Sequence, residues 1–158
     1  MNDADLLARL TADEEELLLD RFDEDDAWRL GSLLVQRGRA EGLPLALAIR
    51  RNGQRLFHAA LPGSAADNDR WLQRKMNVVD AFGHSSFLVG TRWRLSGGDF
   101  DVDARLDPRE FAAHGGAFPL RVRGVGVVGS VAASGLPQAE DHAFVVRVLA
   151  EFLAPTRP

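Results

Sequence analysis

Asn52-Gly53 lies between two apolar runs, LPLALAIRR and QRLFHAAL, and no other feature of the chain restricts its path so strongly. Asn-Gly is the pair best suited to a type I′ turn, because both central residues there need positive φ. The stretch is therefore a β-hairpin. A second stretch, AFPLRVRGVGVVGSVAASG, reads as two more strands joined by a tight turn near Arg123-Gly124. Strands that arrive in hairpin pairs build an antiparallel sheet, and with helices between them the class is α+β.

The remaining segments read mainly as helices. Leu6, Leu7, Leu10, Leu17 and Leu18 space like an amphipathic N-terminal helix over about 4–20, with Asp13 to Glu16 as a solvated acidic face. Asp23 caps a second helix whose inward stripe is Ala27, Leu30, Leu34 and Val35, stopped by Gly42 and Pro44. A third helix opens on an Asp/Asn cap and ends near Gly83, with Trp71, Lys75, Val78 and Phe82 on one stripe. Ser85 or Ser86 caps a following helix, unless FLVGTRWRL is a strand. Asp107-Pro108 starts a short helix that His114, Gly115 and Gly116 close. The C-terminal helix turns Ala143, Val146, Leu149, Ala150 and Leu153 inward.

Two glycine motifs invite nucleotide or ester chemistry, and the neighbouring residues argue against both. GVGVVG, residues 124–129, satisfies G-x-G-x-x-G, but that fingerprint needs a helix directly behind it to receive a pyrophosphate. SVAAS follows instead, and no helix starts before about Pro137. HGG, residues 114–116, lacks the G-x-S-x-G nucleophile elbow that an esterase oxyanion hole serves. The four histidines form no H-x-x-x-H or H-E-x-x-H pair, and with cysteine absent no metal site is expected. Asp141 and His142 could still meet His114 in space, as a structural polar cluster more readily than as a metal site. No nucleophile–base pair or carboxylate dyad marks an enzyme, although Lys75, Asp141 and His142 could move protons.

A net charge of −4 and the lack of a basic patch speak against nucleic acid. No run approaches the ~20 apolar residues of a membrane span, and the acidic N-terminus lacks a signal peptide's basic region. The expectation is one cytoplasmic domain over 1–158, with its core at about 22–153 and a short C-terminal tail.

HGGAFPLRVRGVGVVGSVAASG followed by LPQAEDHAFVV resembles the closing segment of the haem-degrading-domain superfamily, the group of the GlcG and HbpS proteins. Gly115, Gly116, Pro119, Gly129, Ser134, Gly135 and Asp141 match its glycine-rich strand pair and the acidic residue that opens its last helix. RRNGQRLFHAALPG, DNDRWLQRKMNVVDAFGHSS and LDPREFAAHGGAFPLRVRGVGVVG resemble one bacterial and fungal branch of that group, over about residues 10–153. The resemblance implies a profilin-like or PAS-like five-stranded antiparallel sheet flanked by helices on both sides. It also implies a higher homo-oligomer, haem binding or breakdown and, through a fungal relative linked to delivery of tail-anchored membrane proteins, an adaptor role. Haem iron takes His, Cys, Met or Tyr, and with Cys and Tyr absent and Met76 mid-helix, His114 is the best placed axial candidate.

The candidate ligand site joins the two ends of the last hairpin: Lys75, His114, Gly115, Gly116, Ser134, Gly135, Asp141 and His142. The glycines bare backbone N–H groups, and Lys75 or Arg74 supplies a cation from the third helix, which together suit a small carboxylate or phosphate. The competing expectations are that Lys75 snorkels past Trp71 and Phe82 to water, or pairs with an acid at a subunit boundary. The glycines, in turn, could serve tight packing alone. A scaffold for protein contacts is the alternative to a ligand-binding module.

Overall fold

The computed structural model describes residues 1–155; the last three residues of the expected tail, 156–158, lie outside the described residues. Chain order is α1 (Asp3–Glu16), β1 (Leu18–Leu19), α2 (Glu24–Ala40), β2 (Ala46–Arg51), β3 (Gln54–Ala60), α3 (Ala66–Phe82), α4 (Ser86–Ser96), α5 (Phe100–Asp103), β4 (Ala117–Val122), β5 (Gly126–Ser134) and α6 (Gln138–Leu153). Both hairpins form, with Asn52 and Gly53 each at positive φ in the first. β5 continues through Gly129 to Ser134, so GVGVVG lies within a ribbon and no helix stands behind it.

The five strands run β1-β4-β5-β2-β3. The sheet is mixed, where an antiparallel one was expected, because β1 pairs with β4 in parallel. The leucine spacing predicts helix through Leu17 to Leu19, but the helix ends at Glu16. The edge of β4 offers the leucine backbone hydrogen bonds that a fraying helix end lacks.

The two faces differ in the size of their side chains. On one, Leu47, Ile49, Phe118, Leu120 and Val131 pack with Leu30 and Leu34 of α2 and Phe144, Val145, Val148 and Leu149 of α6. On the other, Ala46, Ala48, Ala117 and Ala132 form a shallow floor under Leu72, Met76 and Val79 of α3. Small side chains let α3 ride close to the sheet. Helices therefore cover both faces, and α2 carries the expected Asp23 cap, which accepts from Asp26 N–H at 2.9 Å.

Several local expectations change. Asp107-Pro108 opens only a turn, and the short helix is α5, in a stretch where a loop is expected. The α3 N-cap position is Ala65, whose N–H donates to Asn68 Oδ1 at 2.8 Å, in place of an Asp/Asn cap. The buried face of α6 is Phe144, Val145, Val148 and Leu149, while Ala143 and Ala150 are exposed; the larger side chains take the core and turn the helix from the expected phase. Glu14, placed on a solvated face, is buried. It accepts from Ser85 N–H at 2.9 Å and faces His84 Nδ1 at 3.2 Å, tying α1 to the start of α4.

Candidate functional site

Helices on opposite faces of a sheet can touch only past its end. Here that end is the stop of β5 at Ser134 and the start of β4 at Ala117. Lys75, from the middle of α3, reaches around it to Asp141 in the first turns of α6. Its Nζ donates to Asp141 Oδ2 at 3.1 Å and to the Ala133 carbonyl at 3.4 Å. The residues are 3% and 1% exposed, so the lysine does not snorkel to water, and the acid it pairs with belongs to its own chain. Asp141 also accepts from Leu136 N–H at 2.9 Å and Gly135 N–H at 3.4 Å. Burial pulls the Lys75 ammonium below its ordinary value, with the Asp141 charge opposing, and burial lifts the Asp141 carboxyl despite Lys75 and the two backbone donors.

The pair forms the floor of a recess of about 280 Å³ lined by Asn68, Trp71, Lys75, His114, Ser134, Gly135, Leu136, Gln138 and Asp141. Five of the eight expected residues thus share one cavity: Lys75, His114, Ser134, Gly135 and Asp141. Gly115 and Gly116 stand behind it. They do not close a helix, and the Gly115 N–H is not the bared anion donor foreseen: it donates to Gln138 Oε1 at 3.0 Å. Their role is room. A side chain on Gly115 would overlap the Gln138 carbonyl oxygen, and one on Gly116 (φ 141°) would stand 2.7 Å from Lys75 Nζ. Gly115 lets α6 start against the β4 approach, and Gly116 leaves space for the ammonium.

His142 lies elsewhere. One position past Asp141, it turns into the core against the rings of Phe87 and Phe118, at centroid distances of 5.2 and 6.0 Å. Neither of its nitrogens has a hydrogen-bond partner among the described residues, and burial pulls its pKa down to about 4. His142 and His114 therefore do not meet, and no group of three or more metal-ligating side chains forms among the described residues. His114 packs edge-on against Trp71 at 5.5 Å, its basicity lowered by partial burial. It also borders a second recess of about 300 Å³ lined by Trp93, Arg94, Phe100 and Gln138. Arg74 stacks over Trp71 at 4.3 Å and donates to the Pro108 carbonyl at 3.2 Å.

Four lining residues are not among the expected site residues: Asn68, Trp71, Leu136 and Gln138. Their signal was present. Asn68 and Trp71 precede Lys75 by seven and four positions on one helix face. Leu136 and Gln138 sit within the glycine-rich exit of the last hairpin.

The sequence pattern of the family described as haem degrading protein HbpS-like matches residues 22–150. The chain belongs to this HbpS-like family. Its relatives include a UPF0303 protein of Streptomyces avermitilis, 55% identical over 152 residues that cover 96% of this chain and 92% of that one. A UPF0303 protein of Edwardsiella ictaluri is 42% identical, covering 97% and 98%. Among solved structures, the Ybr137w protein is 34% identical with a TM-score of 0.85, over 92% of this chain and 86% of that one. HbpS (16% identity, TM-score 0.67, covering 85% and 92%) and a PduOC:heme complex (16%, 0.70, covering 82% and 93%) share the HbpS-like fold. No helix among the described residues is long and apolar enough to cross a membrane.

Proposed function

We propose that the chain is a ligand-binding module whose recess takes a small, neutral, polar molecule. The carrying observation is the buried Lys75–Asp141 pair on the recess floor. An anion gains little there, because the ammonium already faces a carboxylate and the Gly135 and Leu136 N–H groups point at that same carboxylate. A carbonyl oxygen suits the third N–H of Lys75. The Ser134 hydroxyl and the Gln138 amide, which line the recess, suit a neighbouring hydroxyl, and Trp71 offers an apolar wall. The test is a titration with hydroxyacetone and, separately, inorganic phosphate, following the Trp71 indole and His114 ring resonances. Both move with hydroxyacetone and stay still with phosphate; two silent resonances overturn the reading, and a response to phosphate alone restores the anion.

Haem fits this surface less well. Pockets that enclose drug-sized ligands run to about 300–1,000 Å³, and the recess lies below the size that would surround a macrocycle. In its favour stand a fold neighbour described as a heme complex and His114, whose ring accepts and donates no hydrogen bond among the described residues while bordering both recesses. A Soret shift with haemin that vanishes in His114→Ala would put haem in place of the small ligand. No shift at micromolar haemin removes it.

The higher homo-oligomer is part of the proposal, as is the adaptor role that would use the same outer surface. Trp28 and Val125, 67% and 72% exposed, supply apolar contact area for either. A monomer by light scattering overturns the assembly.

A further inference from the structure

We propose that Lys75 captures carbonyl compounds: its amine condenses with a small aldehyde or ketone seated in the recess to give an imine, and Asp141 moves the protons. The inference rests on the recess being a ligand site and adds a covalent chemistry to it.

The first support is residue choice. Nineteen residues are lysine or arginine, and Lys75 is the only lysine. Apart from two histidine pairs, every other ion pair among the described residues uses arginine. Even the buried cation under α3, Arg50, is an arginine, held by Asp80 at 2.7 Å. A guanidinium would grip Asp141 with more donors and a fixed fork, so holding the acid does not call for lysine. A guanidinium cannot surrender its proton and offer a lone pair. A primary amine can.

Geometry supplies the rest. Lys75 lines the recess, and the side chain that Gly116 lacks would stand 2.7 Å from Nζ, so the glycine leaves the ammonium room. The acid at 3.1 Å is within proton-transfer distance. Burial disfavours both charges, so the pair lies closer to the amine and carboxylic acid forms than it would in water. The step balances within the pair. Asp141 takes one proton from the ammonium, and the freed amine attacks the carbonyl carbon. The carbonyl oxygen collects that proton and then a second from nitrogen, relayed by Asp141, and leaves as water. Of three ammonium hydrogens, two depart in water and one stays on the iminium nitrogen beside the carboxylate. No oxidant or reductant takes part.

The test is reductive trapping of the whole protein with glycolaldehyde and cyanoborohydride near neutral pH, read by intact mass and peptide mapping. The N-terminal amine is the one other primary amine and serves as the internal reference. Lys75 should be labelled at least tenfold faster than the N-terminus, saturably with glycolaldehyde. Asp141→Asn, checked for folding by circular dichroism, should slow the labelling of Lys75 about a hundredfold, and Lys75→Arg should abolish it. Labelling confined to the N-terminus overturns the proposal in the wild-type protein alone, and an unchanged rate in folded Asp141→Asn overturns the proton-transfer role. If hydroxyacetone still moves the Trp71 and His114 resonances while Lys75 goes unlabelled, only the imine falls. If neither is seen, the ligand site falls with it.

Discussion

Lys75 and Asp141 have exchanged water for each other, and what one loses the other cannot replace. Lys75→Met leaves a buried carboxylate facing an apolar side chain, and such a loss costs about 3–5 kcal/mol. Adding Asp141→Leu should recover most of it; chemical denaturation of the two variants measures the difference, and equal stabilities would contradict the pairing. His142 sets a pH dependence of its own. Its folded pKa, about 4, lies below the ordinary 6.5, so between those values the unfolded chain binds the proton that the native core refuses. Stability is then full above pH 6.5 and falls as pH drops to about 4, by about 3 kcal/mol. His142→Phe should flatten that slope in urea midpoints measured across the range. Sequence spacing singled out Lys75 as a charge on an apolar stripe, and Asp141 as a residue of the last helix. It could not pair them, because 66 positions separate them and only the end of the sheet brings them together.

At the level of elements, the hairpins were legible because turn chemistry is local: Asn52-Gly53 and Gly124 carry the backbone their turns need. Helix caps were nearly as plain at Asp23 and Ser85. What failed depends on neighbours far along the chain. β1 exists only because β4 has an open edge, and the phase of α6 follows from which side chains the core accepts. Gly129 shows the same dependence. A methyl group there would overlap the Arg50 carbonyl oxygen of β2, the strand paired with β5. Gly129→Ala should therefore destabilise the fold by at least about 2 kcal/mol, where Val125→Thr in the exposed turn should stay within about 0.5. Comparable urea midpoints for the two would contradict the close approach.

Taken whole, the molecule is a five-stranded sheet with helical layers that communicate past one end of it, and the recess lies at that meeting. The family supplies the fold; the chemistry proposed for the recess rests on its floor. Much of that site was readable in the glycine-rich ends of the last hairpin and in the α3 stripe. The ion pair that neutralises the floor was not, and it is what turns the expected ligand from an anion to a neutral carbonyl. Because the chain has one lysine, ¹⁵N-lysine labelling yields a single Nζ resonance. This resonance should titrate below the ordinary lysine value of about 10.4 and shift when hydroxyacetone is added. A resonance that titrates at the ordinary value and ignores the ligand would contradict both expectations.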